Sequence, residues 1–213
     1  EESGEGLFTF VDGSRYEGDY KDNNRHGQGV YYDQDGDRYE GSYKNARRHG
    51  QGIYYWLADT DKKGDRYEGE FNNDSMDGFG NYYFSNGNRY EGEFKKGKMS
   101  GYAIFHSTDG DRYEGEFTDG IRHGKGIDFT ADGGGYDGEY YQGKRQGQGI
   151  FNYADGGRYE GEYVQDKRNG FGIYYYADGS RYEGNYLGGI RDGFGMYYFA
   201  DGDRYEGQYA KGK

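Results

Sequence analysis

The sequence contains no cysteine and no proline, and it has a single tryptophan. Without cysteine, the fold uses neither disulfides nor thiolate metal sites, which fits a reducing compartment. Without a collagen period or proline-rich runs, its 44 glycines do not indicate a fibrous protein or a linker. No apolar run approaches the roughly 20 residues of a membrane span. The core must therefore form without disulfides and without long apolar segments.

Tyrosine is the predicted core material. The chain of 213 residues has 29 tyrosines and 13 phenylalanines, although only 31% of its residues are hydrophobic. A low apolar fraction with 31% charged residues would otherwise indicate disorder. A tyrosine ring, however, can be buried while its hydroxyl reaches water or a backbone partner. The composition predicts a folded protein with a tyrosine core.

The charge balance limits the partners. The chain has 27 Lys and Arg against 39 Asp and Glu, for a net charge of −12. An acidic body repels nucleic acid and anionic lipid surfaces at long range. We therefore expect no nucleic-acid partner, and we expect membrane lipids to be disfavoured except where local basic rows bind them.

The string Arg15-Tyr16-Glu17-Gly18-Asp19-Tyr20 organises the whole chain. It returns eight more times, at intervals of 23 residues apart from one of 28. Such a period is typical of an array whose repeats are too small to bury a core alone. We predict one continuous array over residues 1–213, with half a repeat at 1–15 and 205–213. The full repeats start at 16, 39, 67, 90, 113, 136, 159 and 182. Because both ends fall inside a repeat, we expect an excerpt of a longer protein.

Each repeat predicts two strands. Tyr16, Gly18 and Tyr20 alternate with charged residues, which indicates a strand with one aromatic and one charged face. A polar connection over residues 21–26 and a short second strand, residues 30–32, follow, and an Asp-Gly turn then leads to the next repeat. Connections this short require antiparallel pairing. The predicted fold is all-β, a single-layer antiparallel meander of about 18 strands without helices.

The predicted structural core is formed by the aromatic and glycine positions of the first strands. Glycine inside a strand marks close backbone approach, so we expect a ring from a neighbouring strand to lie flat over each one. These core residues are Tyr16, Gly18, Tyr20, Tyr39, Gly41, Tyr43, Tyr67, Gly69, Phe71, Tyr90, Gly92, Phe94, Tyr113, Gly115, Phe117, Tyr136, Gly138, Tyr140, Tyr159, Gly161, Tyr163, Tyr182, Gly184 and Tyr186.

Together these strings resemble the MORN (membrane occupation and recognition nexus) repeat. The pattern is Tyr-Glu-Gly-Glu-Phe/Tyr, then Gly-Lys-Arg-x-Gly-x-Gly, then Tyr-x-x-Asp-Gly, and it covers essentially the whole chain. The family usually has tryptophan where this chain has Tyr20, Phe71 or Tyr163. The resemblance implies an elongated, twisted, solenoid-like array of hairpins with a groove. It also implies cytoskeletal assemblies, because the regular Tyr-Glu-Gly repeats look most like those of radial spoke and other ciliary or flagellar proteins.

Repetition places candidate partner-binding side chains in rows. Adjacent aromatics on both faces of a single-layer sheet cannot all be buried. Either they form an exposed interface, or they stack on one another and remain partly exposed to solvent. The aromatic row on the second strands is Tyr31, Tyr54, Tyr82, Phe105, Phe151, Tyr174 and Tyr197, and a basic row at the loop edge is Arg25, Arg48, Arg122, Arg145, Arg168 and Arg191.

Breaks in the repeat are further candidates. The 28-residue repeat carries an insertion after Trp56 and Leu57, which is either a partner contact or a tolerated surface loop. Met76 and Met99 replace the usual arginine, beside an alanine in place of a glycine at Ala103. They form either a partner-binding patch or a local repacking.

A third break, the glycine run 133–135, indicates a bend or added flexibility.

No catalytic, cofactor or metal site is predicted. The histidines before Gly27, Gly50 and Gly124 occupy a slot that other repeats fill with Asp, Ser, Gln or Asn. The insertion resembles a calcium loop, but Lys63 at its fifth position has the wrong charge. Catalytic carboxylates form one close pair, whereas these recur in every repeat. We expect a non-enzyme without a cofactor.

The sequence therefore predicts a structural scaffold that binds other proteins. An extended peptide, a helix or another array along the groove would be the partner, in a large complex, and open sheet edges favour self-association. The resemblance implies a cytoplasmic location, at the axoneme of a cilium or flagellum or at other cytoskeleton. The alternative is a membrane-associated phosphoinositide-binding module that uses Arg145, Arg168 and Arg191. A regulatory array attached to a distant enzyme domain is a third hypothesis.

Overall fold

The computed structural model describes residues 3–213 and confirms the all-β prediction. The described residues contain 18 strands and no helix, and the chain divides into two compact units at Thr108 and Asp109. Unit 1 contains β1 (Gly4–Thr9), β2 (Arg15–Lys21), β3 (Asn24–Tyr32), β4 (Arg38–Lys44), β5 (Arg47–Tyr55), β6 (Arg66–Asn72), β7 (Ser75–Tyr83), β8 (Arg89–Lys95) and β9 (Lys98–His106). Unit 2 contains β10 (Arg112–Thr118), β11 (Ile121–Phe129), β12 (Gly135–Tyr141), β13 (Lys144–Asn152), β14 (Arg158–Val164), β15 (Lys167–Tyr175), β16 (Arg181–Leu187), β17 (Ile190–Tyr198) and β18 (Arg204–Tyr209).

Within each unit, every strand pairs antiparallel with the next strand along the chain. This confirms the predicted hairpin meander. The continuity of one array over residues 1–213, and its origin in a longer protein, stay predictions.

The second strand of each repeat is longer than predicted. β3 already begins at Asn24, so that only Asp22 and Asn23 separate it from β2. Both turn residues have positive φ, 50° and 62°, which is the backbone of a tight type I′ hairpin. The polar connection predicted over residues 21–26 is therefore mostly strand, because Asp and Asn adopt this turn without glycine.

A bulge reshapes each first hairpin. Gly18 pairs with Gly29, but Tyr20 pairs with Arg25, so three residues of β3 face the single residue Asp19. The Asp19 carboxylate accepts a hydrogen bond from Gln28 N at 2.8 Å, and Gly27 between them has a φ of +59°. The bulge places Arg25 on the same face of the sheet as the tyrosines.

The core is an edge-to-face ladder of rings, which we call the tyrosine ladder. The Tyr16 ring lies 5.1 Å from both Tyr20 and Tyr43, at interplanar angles of 84° and 85°. Such pairs contribute about 0.5–1.5 kcal/mol each beyond area burial. In unit 1 the ladder runs Tyr20, Tyr16, Tyr43, Tyr39, Phe71, Tyr67, Phe94, Tyr90. In unit 2 it runs Phe117, Tyr113, Tyr140, Tyr136, Tyr163, Tyr159, Tyr186, Tyr182, Tyr209, Tyr205.

The predicted core glycines are close-packed, but the covering ring comes from a different strand than expected. A Cβ added to Gly29 would lie 2.5 Å from Tyr16 Cε2, and the Tyr16 hydroxyl also reaches over Gly18 on its own strand. The ring over Gly18 thus belongs to the same strand, because Tyr16 lies along the sheet and crosses the glycine pair. Its hydroxyl donates to Asp19 O at 3.0 Å, which satisfies the buried polar atom.

This packing predicts the effect of one methyl group. In Gly149→Ala, the new Cβ would lie 2.5 Å from Tyr136 Cζ, and we expect a loss of about 1–3 kcal/mol in unfolding free energy from overpacking. Gly6 occupies the same repeat position, but a Cβ there has the Tyr20 ring at an ordinary 3.5 Å. Gly6→Ala is therefore the control and should change stability little. Equal effects in urea denaturation would contradict the proposed packing.

Candidate functional site

Each unit of the sheet has two chemically different faces. The tyrosine face carries the tyrosine ladder, and opposite residues of paired strands, such as Tyr16 and Tyr31, share it. The charged face carries the alternate residues, such as Arg15 and Glu17. The candidate side chains divide between these faces.

The predicted aromatic row lies on the tyrosine face and forms a second ladder. Trp56 inserts between Tyr54 and Tyr82, at centroid distances of 4.6 and 5.3 Å. Phe84, Tyr153 and Tyr176 insert between row members in the same way. Of the two alternatives for these aromatics, the geometry favours mutual stacking. Of these inserting rings, Trp56 was a candidate from the sequence. Phe84, Tyr153 and Tyr176 were missed, although a spacing of two residues from a row member is the signal of a shared face.

Trp56 and Leu57, the candidates beside the insertion, have different surroundings. Trp56 is half-buried in the second ladder, with Lys62 Nζ 5.4 Å from its ring centroid. Leu57 is exposed. Leu57 is therefore accessible to a partner, whereas Trp56 packs within the second ladder.

The basic row fills the space between the two ladders. The Arg168 guanidinium carbon lies 5.5, 5.4 and 5.0 Å from the centroids of Tyr159, Tyr174 and Tyr186. Its Nη2 donates to Gly189 O at 2.8 Å. Arg145 and Arg191 likewise lie over rings of both ladders. These cations are already used in cation–π contacts, so they do not form an open basic rim.

Met76 and Met99 occupy the arginine position in two repeats. Met76 pairs with Phe71 and Met99 pairs with Phe94, and both methionines are half-buried. A flexible thioether can fill the gap between aromatic rings that a guanidinium fills elsewhere. This placement favours repacking of the core over an exposed methionine patch.

Carboxylates in the turns join neighbouring hairpins. Asp37 Oδ2 accepts from the Tyr54 hydroxyl at 2.8 Å, and its Oδ1 accepts from the backbone N of Leu57 and Ala58, each at 2.8 Å. Asp65 makes the same contacts to the Tyr82 hydroxyl and Ser85 N. Burial and the adjacent carboxylate raise the pKa of Tyr54 and Tyr82.

The glycine run 133–135 breaks this pattern, because Gly134 stands at the turn position of Asp37 and has no side chain to accept such bonds.

The charged face neutralises itself locally. Arg38 and Glu40 on the same strand form an ion pair at 2.6 Å, and Arg181 and Glu183 form an equivalent pair at 2.6 Å. The arginine also lies over a ring on the next strand, as Arg181 does over Tyr198 at 4.1 Å. Exposed pairs of this kind contribute little stability, but they leave few uncompensated cations on this face.

An exposed apolar patch lies on the charged face of unit 2. We define it by four side chains: Phe171 is 60% exposed, Leu187 61%, Ile190 48% and Phe194 46%. Phe171 pairs with Asn185, two residues before Leu187, and Leu187 pairs with Ile190, so that the patch spans three adjacent strands. The phenylalanines occupy the middle of Gly-x-Gly.

The patch was not predicted from the sequence. Its signal there is the residue between the two glycines, which is glutamine at Gln28, Gln51 and Gln148 but phenylalanine at Phe171 and Phe194. Unit 1 has exposed Phe79 and Tyr102 at the same position. Its neighbouring hairpin tips, however, carry Asn72 and Ser75 or Lys95 and Lys98 instead of leucine and isoleucine.

Within residues 3–213, no three His, Asp or Glu side chains are grouped as ligands for a metal ion. No helix in that range is long and apolar enough to span a membrane.

Comparison with protein families finds the MORN repeat throughout the chain. The family's repeat pattern matches residues 1–15, 16–38, 39–56, 67–89, 90–112, 113–127, 136–158, 159–181 and 182–204. The two unmatched stretches before residue 204, 57–66 and 128–135, contain the insertion and the glycine run. No curated protein matches the chain.

Solved structures with partial similarity include domains of centriole proteins. The TCP10 domain of Danio rerio CPAP is 14% identical, with a TM-score of 0.40, over 95% of this chain and 94% of that one. The TCP domain of Drosophila melanogaster SAS-4, solved with a proline-rich motif of Ana2, is 11% identical, with a TM-score of 0.35, over 96% and 90%.

Buried tyrosines predict how stability responds to alkali. Burial raises the pKa of Tyr16, Tyr136 and Tyr182 from 10.0 to about 12. The folded state holds these protons more tightly than the unfolded state does, so the stabilisation is complete below pH 10 and is lost as pH rises through 12. We expect cooperative unfolding in this range, accompanied by a delayed rise in tyrosinate absorbance. Full ionisation near pH 10 with an intact circular-dichroism spectrum would contradict this.

Proposed function

The chain belongs to the MORN-repeat family, and from this premise we propose that it is a non-enzymatic scaffold that binds other proteins. The family is a repeat module without catalytic activity. The proposed binding surface is the apolar patch of unit 2. Partner-binding roles for the aromatic row, the basic row and the two methionines stay predictions.

The exposed patch carries this proposal. Four large apolar side chains, all 46–61% exposed, lie together in a chain with little aliphatic material, and such clusters typically mark interaction sites. Rings on the tyrosine face, by contrast, contact one another and the arginines. Glu160 and Glu183 lie on the charged face beside the patch, but each is paired with an arginine of its own strand. The patch therefore suits a partner segment with apolar anchors.

Paired substitutions test this surface. Phe171→Ser with Phe194→Ser should weaken partner capture by tenfold or more, because an aromatic anchor at an interface contributes about 2 kcal/mol or more. Stability should change little, since both rings are exposed. The measurement is affinity capture by the full-length protein, followed by titration with the purified partner.

Phe79→Ser with Tyr102→Ser provides the matched control. It removes two exposed rings from the same repeat position in unit 1, so partner capture should persist. Equal losses from the two double variants would contradict a patch-specific interface. Sedimentation of the purified chain shows whether the partner is a second copy.

A phosphoinositide-binding module is the second candidate, and the basic row is the observation that favours it. Arg168, however, lies over three rings, and the net charge of −12 opposes an anionic surface. We expect Arg168→Gln to lower the unfolding free energy by about 1–2 kcal/mol, from lost cation–π contacts. We also expect no flotation of the parent chain with phosphoinositide liposomes. Salt-sensitive flotation that this variant abolishes would instead support lipid binding.

For the cellular setting, we propose a cytoskeletal assembly of a cilium or flagellum, such as a radial spoke or another axonemal complex. The regular Tyr-Glu-Gly repeats, which look most like those of radial spoke proteins, support this setting. Imaging of the tagged full-length protein in ciliated cells should show it along the axoneme. A uniformly diffuse distribution would contradict it.

A further inference from the structure

The second ladder of unit 1 is interrupted at one position. Aromatic rings insert on either side of the gap: Phe10 lies 6.1 Å from Tyr31, and Trp56 lies 4.6 Å from Tyr54. Between Tyr31 and Tyr54 the inserting position is Asp33, which is not a ring. The space between Tyr31 and Tyr54 is therefore present, but it lacks the aromatic side chain that fills the equivalent space in the next two repeats.

The gap is a real cavity. It has a volume of about 220 Å³, which is small for a drug-sized ligand and of the order of a single side chain. Its lining comprises Arg25, Tyr31, Asp33, Asp37, Tyr39, Tyr43, Arg48, Tyr54 and Asp74. We call this cavity the Asp33 slot.

The lining is suited to an aromatic ring. Two ladder tyrosines stand on either side, and the guanidinium carbons of Arg25 and Arg48 lie 5.0 and 5.2 Å from the Tyr31 and Tyr54 centroids. A ring in the slot would therefore meet two aromatic neighbours beside a cation, as the inserting ring Tyr176 meets Tyr174, Tyr197 and Arg191 in unit 2.

Asp33 adds a polar preference to this slot. Its Oδ1 accepts from Asp35 N at 3.2 Å, which leaves Oδ2 to accept from a ligand. Asp37, in contrast, already accepts from the Tyr54 hydroxyl and from two backbone N–H groups. A ring that carries an O–H or N–H donor would satisfy Asp33 better than a plain hydrocarbon ring, because a desolvated carboxylate requires a hydrogen bond.

We infer that the Asp33 slot binds the tyrosine or tryptophan side chain of a partner protein, which completes the second ladder in trans. The protein origin of this ring rests on the proposed scaffold function. The argument for the ring itself comes from the neighbouring repeats, where the chain supplies Trp56 and Phe84 to equivalent spaces. The slot would give the tyrosine face one specific contact, separate from the apolar patch.

Small probes test the slot without any partner protein. We expect 4-methylphenol and 3-methylindole to bind in the millimolar range and to shift the NMR signals of Tyr31 and Tyr54. Toluene should bind several-fold more weakly. In Asp33→Asn this preference for donor-bearing rings should fall by at least half, because the neutral amide is a weaker acceptor.

Filling the slot provides the decisive comparison. Asp33→Tyr should supply the missing ring in cis, raise the melting temperature and weaken probe binding at least tenfold. Gln34→Tyr adds the same side chain at the adjacent position, which in the first half repeat is the exposed Val11, and should leave both unchanged. Asp33→Phe serves as a second filling variant if Asp33→Tyr folds poorly.

The outcomes separate this inference from the scaffold proposal. Probe shifts at Tyr31 and Tyr54 that vanish in the filled variants support the slot, whatever happens to partner capture by the patch variants. Absent shifts, unchanged binding in both filled variants, or saturable binding of inorganic phosphate to Arg25 and Arg48 in place of the rings would overturn it.

Discussion

The contact on which this fold depends is a tyrosine ring lying across two paired glycines. A hydroxyl-bearing ring is too long to stand upright in a single-layer sheet without exposing most of its surface. Because Gly18 and Gly29 are paired and have no side chains, the Tyr16 ring can lie along the sheet and its hydroxyl can reach the backbone. The ring then meets Tyr20 and Tyr43 edge to face, and such contacts hold neighbouring repeats together within each unit.

This ring geometry also determines the chemistry of the two faces. On the tyrosine face, arginines such as Arg168 are drawn between two ladders of rings, where cation–π contacts and backbone acceptors satisfy them. On the charged face, arginine and glutamate pair within a strand. The most repeated residues thus contact one another and are not available to a partner. Sites for partners are left where a repeat deviates, either by adding an exposed ring, as at Phe171, or by omitting an inserting ring, as at Asp33.

The fold was predictable because period-two alternation and short connections admit only an antiparallel meander. Tyr16, Gly18 and Tyr20 were assigned to the core on this basis. Tyr16 is buried, and Gly18 and Tyr20 are half-buried. The direction of the Tyr16 ring was not predictable, since alternation gives the face of a side chain but not its tilt along the sheet. The bulge after Gly18 was missed for a related reason, because register shifts depend on a hydrogen bond from Gln28 N to Asp19 that no pattern reveals.

The candidate site shows the same division. The position of a residue within the repeat was enough to assign Tyr54 to the aromatic row and Arg168 to the basic row. The solvent exposure of these side chains could not be predicted, because it depends on the side chains that neighbouring strands place beside them. By itself, the sequence determined the repeat, the strand alternation and the tyrosine core, since these follow from local spacing and composition. Only the tertiary structure decided that the arginines are sandwiched between rings, that Phe171 and Leu187 share an exposed patch, and that Asp33 leaves a cavity. Those properties arise from contacts between neighbouring strands, and cross-strand register, rather than local sequence, controls them.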